Sequence, residues 1–126
     1  MIYGIGVDLV NVPRLAATVA RFGDRFLNRV FTPQEIAYCR ARAKSENNLA
    51  LRFAAKEAFS KALGVGLRQN GIRWREVEVV PATSGRPDLR VSGRAAELCQ
   101  QAGIQGMLVT LTDEGDYGVA VVVLET

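Results

Sequence analysis

The sequence predicts an α+β fold in which helices pack on a mainly antiparallel sheet. Three observations carry that reading. Helical apolar spacing dominates the first half of the chain, and period-two alternation dominates residues 107–113 and 117–125. Those two alternating runs are joined by only Glu114-Gly115-Asp116, which is a hairpin connection. A chain of 126 residues without an internal repeat, low-complexity stretch or linker predicts one domain spanning residues 1–126.

Residues 2–10 read as a strand. On alternation Tyr3, Ile5, Val7 and Leu9 share one face, and Gly4, Gly6 and Asp8 share the other. Glycine inside a strand marks close approach by another backbone or by a ligand, and a helix lying tightly over Gly4 and Gly6 accounts for them as well as a ligand does. Pro13 opens a helix capped by Asn11. Leu15, Val19, Phe22 and Phe26 form its expected buried stripe, with Arg14, Arg21 and Arg25 alongside and Gly23-Asp24 as a candidate bend. Thr32-Pro33-Gln34-Glu35 supplies cap, proline and first-turn acid for a second helix, which runs to the polar break at 40–47.

A long helix is predicted over 47–63, then a glycine-rich turn over 64–71. Residues 72–80 alternate as a strand, 81–88 read as a turn and 87–91 as a short strand. Ser92 caps and Gly103 stops a further helix, and the hairpin closes the chain. In its last strand Tyr117, Val119, Val121 and Val123 line one face, and Ala120, Val122 and Leu124 much of the other. Such a strand is covered on both sides, either inside the fold or by a neighbouring subunit.

The net charge of +3 is unevenly distributed. Up to Arg75 there are 13 Lys and Arg against 5 Asp and Glu; from Glu76 onward there are 3 against 8. A basic first half points to an anionic partner: nucleic acid, a phosphorylated cofactor or an acidic protein. Histidine is absent, which excludes Ser-His and Cys-His pairs, imidazole bases and most zinc sites. Cys39 and Cys99 lack C-x-x-C spacing and read as reduced, packed thiols of a cytosolic protein. No signal peptide is expected, and no run reaches the roughly 18 apolar residues of a membrane span. Nucleic-acid binding would explain the basic half, but not Asp8 among glycines, and the interleaved aromatics of a stacking platform are missing. No G-x-x-x-x-G-K-[ST] phosphate loop occurs either.

Burying a lone carboxylate costs several kcal/mol unless it is paired, so Asp8 calls for a cation. The helix segment Phe53 to Gly64, FAAKEAFSKALG, offers an answer. Leu51, Ala54, Ala55, Ala58, Phe59 and Ala62 form its apolar arc, while Glu57 and Lys61 lie one turn apart on the other arc with Ser60 beside them. Taken alone, Glu57 and Lys61 are an ordinary surface pair worth about a few tenths of a kcal/mol. Three features weigh against that. Gly64 and Gly66 follow at once, with amides able to approach a phosphate. Asp8 needs a partner, which a cation held between it and Glu57 would supply. Two hard carboxylates with no His or Cys nearby in the chain describe magnesium rather than zinc. Two acids, a lysine and glycines are the equipment of phosphoryl-type transfer.

GIGVDLVNVPRL at 4–15 and FAAKEAFSKALGVG at 53–66 together resemble the bacterial holo-[acyl-carrier-protein] synthases, the small group of 4'-phosphopantetheinyl transferases. The first resembles that family's G-x-D strand. The second resembles its F/W-x-x-K-E-x-x-x-K-A-x-G helix and matches every fixed position. The likeness continues through SGRP at 84–87 and the closing VTLTDE and YGVAVVVLE, covering nearly the whole chain.

The resemblance implies a 4'-phosphopantetheinyl transferase-like fold. It also implies a cytoplasmic enzyme of fatty acid biosynthesis that moves the phosphopantetheine arm of coenzyme A to a serine of apo-acyl carrier protein, releasing adenosine 3',5'-bisphosphate. By matching position, Asp8 and Glu57 would hold Mg²⁺ against the pyrophosphate, and Lys61 would neutralise charge on the phosphate under attack and on the leaving group. Glu57, directly or through a water on the metal, is expected to take the serine proton. Lys44 and Arg52 would meet the 3'-phosphate, Ser84-Gly85-Arg86-Pro87 would line the adenine pocket, and Ser60 and Gly64 would complete the contacts to coenzyme A. Arg14, Arg21, Arg25 and Arg29 would grip the acidic carrier protein, setting association rate and partner choice. Neither nucleic acid nor a membrane is an expected partner. Family members often carry a histidine where this chain has Leu108, Asp113 or Asp116, so any cofactor contact made by that histidine is in question here. Small members are typically homotrimers with sites between subunits, which implies the same here.

Overall fold

The computed structural model, which describes residues 1–67, 71–81 and 84–126, is α+β. Its elements are β1 (Ile2–Asn11), α1 (Val12–Phe22), α2 (Asp24–Val30), α3 (Pro33–Arg40), α4 (Ser45–Leu63), a 3-10 turn (Trp74–Glu76), β2 (Val77–Pro81), β3 (Pro87–Val91), α5 (Gly93–Gln101), β4 (Gly106–Glu114) and β5 (Tyr117–Glu125). Residues 68–70 of the glycine-rich turn, and 82 and 83 of the next, lie outside the described residues.

Local chemistry sets the helix boundaries. Asn11 Oδ1 accepts from the Arg14 amide at 3.0 Å and Pro13 sits in the first turn of α1. Gly23 adopts φ +58°, which ends α1 and starts α2 on a new axis. That break corrects the expected apolar stripe. Leu15 and Leu27 are buried, but Phe22 is 50% exposed with the Arg21 guanidinium over its ring. Thr32 and Glu35 form a reciprocal capping box for α3. The predicted strand over 72–80 is also corrected. Glu76 accepts the Arg73 amide at 3.1 Å, closing a 3-10 turn, and extended pairing starts only at Val77. Ser92 occupies the cap position of α5 without a side-chain bond, and Glu76 takes the Ala95 amide instead.

The main sheet has strand order β1-β5-β4, antiparallel throughout, and β2-β3 form a separate antiparallel pair. Gly4, Gly6, Asp8 and Val10 of β1 pair with Leu124, Val122, Ala120 and Gly118 of β5, so all eight share the inner face. The nineteen-residue helix α4 lies on that face, buried along most of its length. The two glycines of β1 are explained by this helix. A Cβ on Gly4 would stand 2.0 Å from the Ala62 carbonyl oxygen, and one on Gly6 1.9 Å from that of Ala58. Glycine on the strand and alanine on the helix let two backbones touch.

Among the described residues, the outer face of the sheet is largely uncovered. Ile5 is 67%, Val7 55% and Leu9 64% exposed, with Tyr3, Leu108 and Tyr117 about half exposed beside them. β5 is therefore central in the sheet and buried by α4 on one side only. Cys39 and Cys99 are buried free thiols. No helix among the described residues is long and apolar enough to cross a membrane.

Candidate active site

The contact of β1 with α4 brings Asp8, Glu57 and Lys61 together. Asp8 continues the inner face one step past the glycines, and its carboxylate is mostly buried. Lys61 Nζ donates to Asp8 Oδ1 at 3.0 Å and to the Val7 carbonyl at 3.1 Å. Asp8 thus has its cation, and Lys61 pairs across to the strand rather than along the helix with Glu57. Glu57 feels both neighbours. Burial and then the Asp8 charge push its carboxyl above the ordinary value, while the Lys61 ammonium pulls it down.

Two neighbouring carboxylates that repel one another, offering oxygen donors only, fit a hard divalent cation. Magnesium commonly takes one or two carboxylates and leaves its other positions to water and phosphate. No group of three or more His, Cys, Asp or Glu that could hold a metal occurs among the described residues, so a cage made wholly by protein is not what this pair suggests.

The end of α4 departs from expectation. Gly64 takes the left-handed conformation, φ +86°, and donates its amide to Ser60 and Lys61 carbonyls; the Val65 amide goes to Ser60 as well. These amides close the helix and do not form a phosphate cradle, although the space beside Gly64 is open. Ser60 is buried and its hydroxyl donates to the Glu57 carbonyl at 2.7 Å.

One cleft leads away from Asp8 and a second adjoins that cleft. One, of about 280 Å³, is lined by Asp8, Asn11, Arg14, Thr18, Phe26 and Phe53. The other, of about 330 Å³, shares Thr18 and Phe26 with the first and adds Phe22, Arg25 and Arg29. Arg14, Arg21, Arg25 and Arg29 are all exposed; Arg14 borders the cleft that holds Asp8, Arg25 and Arg29 border the one beside it, and Arg21 lies over Phe22.

On the other side of α4, Arg52, Gly85 and Pro87 line one small cleft with Tyr38, Asn48 and Leu51. Lys44 is exposed at the start of α4. Arg86 and Pro87 instead border a cleft on the outer sheet face with Leu108, Thr110 and Val121. Leu108 therefore lies beside the predicted SGRP turn, and Asp113 accepts from the Asn47 side chain at 3.0 Å.

One polar cluster was not anticipated. Lys56, adjacent to Glu57 in the chain, is wholly buried and pairs with the equally buried Glu35 at 2.8 Å. Lys56 also donates to the carbonyls of Val77 and Trp74, and Glu35 accepts the amides of Thr32 and Val79. The pair ties α3 and α4 to the start of β2. A sequence signal existed. Arg52 and Lys56 fall on the same heptad-spaced stripe of α4 as the apolar Leu49, Phe59 and Leu63, all five now buried.

Comparison with known proteins bears on this geometry. A family model described as the 4'-phosphopantetheinyl transferase superfamily matches residues 4–122. A holo-[acyl-carrier-protein] synthase of Geotalea daltonii is 46% identical over 125 residues, 99% of each chain. One from Geobacter sulfurreducens is also 46% identical, over 99% of this chain and 98% of the other. Among solved structures, holo-[acyl-carrier-protein] synthase from Neisseria meningitidis superposes with TM-score 0.91 at 36% identity, covering both chains fully. The Helicobacter pylori enzyme in complex with coenzyme A gives 0.82 at 30% identity, over 96% of this chain and 99% of that one.

Proposed function

The chain belongs to the 4'-phosphopantetheinyl transferase superfamily, among its holo-[acyl-carrier-protein] synthases, and from that membership we propose that it transfers 4'-phosphopantetheine from coenzyme A to a serine of apo-acyl carrier protein in the cytoplasm, in support of fatty acid biosynthesis. The observation that carries the proposal is the meeting of Asp8, Glu57 and Lys61 where β1 crosses α4.

The reaction forms a bond from the serine oxygen to the phosphorus bearing the pantetheine arm. It breaks the bond from that phosphorus to the bridging pyrophosphate oxygen, and adenosine 3',5'-bisphosphate leaves with the electron pair. Charge spreads over the phosphoryl oxygens, so catalysis asks for positioning and electrostatic stabilisation. Asp8 and Glu57 would hold magnesium, which supplies positive charge beside the pyrophosphate. Lys61 is half exposed on a flexible stem and neutralises charge on the transferred and departing groups. Glu57 takes the serine proton.

Substrate placement follows the clefts. Arg14, Arg21, Arg25 and Arg29 receive an acidic carrier protein along α1 and α2, bringing its serine towards Asp8. Arg52, Lys44 and the 84–87 turn hold the nucleotide end of coenzyme A, with Ser60, Lys61 and Gly64 near the pyrophosphate. The uncovered face of β1, β5 and β4 supports assembly as a homotrimer, since exposed apolar residues of this extent on one sheet face mark an interface.

The test is incubation with coenzyme A, a magnesium salt and apo-acyl carrier protein, read as the mass gain of one phosphopantetheine. Glu57→Gln should abolish the gain while the circular dichroism spectrum stays wild type. A near-normal rate in that variant would remove Glu57 as the base. No mass gain with the wild-type chain, together with salt-sensitive nucleic-acid binding, would overturn the assignment.

A further inference from the structure

The buried pair of Lys56 and Glu35 is fully satisfied. All three ammonium protons of Lys56 have an acceptor: Glu35 Oε1 at 2.8 Å, the Trp74 carbonyl at 3.3 Å, and the Val77 carbonyl. Glu35 in turn takes the Thr32 amide on Oε1 and the Val79 amide on Oε2, each at 3.0 Å. The start of α3, the 3-10 turn and β2 thus all close on one ammonium carried by α4. A buried ion pair is poor evidence of stability, because apolar residues of similar volume often serve as well or better, and its best-attested use is to fix register.

Helix α4 has need of such a fixture. Gly4 and Gly6 set how near it comes to β1, but glycine carries no side chain that could interlock with the helix and stop it turning. Lys56 and Glu57 are consecutive, so they leave the helix about 100° apart. One is locked in the core, and the other stands within reach of the Asp8 charge. A side-chain tip lies about 5–6 Å from the axis of its helix, so turning α4 by about 10° would carry the Glu57 carboxyl about 1 Å.

We propose that Glu35 and Lys56 are positioning residues: their ion pair sets the rotation of α4 and, through it, the place of Glu57 relative to Asp8. This rests on the reading of Asp8 and Glu57 as the pair that would hold magnesium. It adds two residues that touch neither substrate nor metal.

The experiment uses the full chain in two variants. Glu35→Leu with Lys56→Met exchanges the pair for apolar groups, and Glu35→Asp keeps the charge but draws the carboxylate back by about 1.5 Å. Each is checked for the wild-type circular dichroism spectrum and then titrated with Mn²⁺ alone, followed by the electron paramagnetic resonance of the free ion. Both should bind Mn²⁺ about 10- to 100-fold more weakly than wild type, the usual effect of disturbing groups that orient a metal ligand. In the transfer assay kcat should fall on the order of 100-fold, the effect of about 1 Å of misplacement, with KM for the carrier protein unchanged. A pair with a structural role alone would lower Tm and leave the Mn²⁺ affinity of the folded protein where it was. A folded variant with wild-type Mn²⁺ affinity would therefore overturn the inference, whatever its rate. Transfer by a wild-type chain that binds no Mn²⁺ would overturn it too and leave the enzymatic reading standing. Weakened Mn²⁺ binding in the variants of a chain that performs no transfer would keep the inference and remove the enzymatic reading.

Discussion

Replacing Gly6 by alanine tests the central geometric claim, that backbone contact between β1 and α4 sets the active site. A Cβ there would stand 1.9 Å from the Ala58 carbonyl oxygen and 2.8 Å from the Ala62 amide nitrogen. Side-chain carbons do not approach oxygen closer than about 3 Å, so the strand must retreat by about 1 Å. The obstruction is main chain, and no change of side chain on α4 relieves it. Overpacking of this kind costs about 1–3 kcal/mol, which should appear as a lowering of Tm by several degrees. Activity should suffer more than stability. Asp8 lies two residues beyond Gly6 on the same face, and Lys61 reaches it from the helix. A displacement of about 1 Å between reacting or charge-bearing groups costs on the order of 100-fold in rate. The assay is thermal denaturation followed by circular dichroism, with kcat/KM for transfer measured well below the transition. Gly6→Ala with wild-type Tm and wild-type kcat/KM would refute the reasoning, because it would mean the strand can withdraw without moving the site.

Further outcomes follow from three parts of the molecule. Glu35→Ala leaves the wholly buried Lys56 without its ion partner and should cost about 3–5 kcal/mol in urea denaturation, whereas the Glu35→Leu, Lys56→Met double variant should cost less than the single one. Because burial and Asp8 raise Glu57, its carboxyl in the metal-free chain should titrate above the ordinary carboxylate range. Asp8→Asn should shift the Glu57 titration downwards when it is followed by NMR in the absence of metal. A carboxyl raised in the folded state stabilises below its unfolded value near 4.5 and loses that contribution as pH rises through the folded value, so metal-free Glu57→Gln should melt slightly above wild type at pH 7. Val7→Asp, on the uncovered sheet face, should convert the proposed trimer to monomer in light scattering while leaving the helical circular dichroism signal in place.

Much of this was legible in the sequence wherever local chemistry decided the outcome. Asn11, Thr32 and Pro13 announced helix starts because caps act within one turn, and Gly4, Gly6 and Asp8 announced a close approach because alternation puts them on one face. Misreadings arose where distant contacts intervened. The run from Ile72 alternates like a strand, yet Glu76 captures the Arg73 amide and buried Lys56 draws in the Trp74 carbonyl, so the chain turns before it extends. Gly64 suggests an amide free for a phosphate because glycine composition does not say where amides point. At Gly64 the amide turns back into α4, as a helix end requires. Glu35 was read as a first-turn acid, and the capping box does occupy one of its oxygens. The other accepts the Val79 amide, a partner forty-four residues away that no local rule could supply.

The uncovered face and the active site are two products of one strand. Because side chains alternate, the residues flanking Asp8, namely Val7 and Leu9, point to the outer face. A shift of one residue in the pairing of β1 with β5 would bury those two and expel the carboxylate, losing the site and the exposed apolar face together. The bulge between Ile2 and Gly4 lies upstream of this pairing, and register then holds without interruption from Gly4 to Asn11. On the proposed trimer, subunits that cover Val7 and Leu9 also fix the strand carrying Asp8. Dissociation should therefore cost activity even though neither residue faces the substrate: Val7→Asp monomers should have depressed kcat, not only weakened binding of coenzyme A. Monomers with full kcat would show that contact with α4 alone suffices to hold the strand.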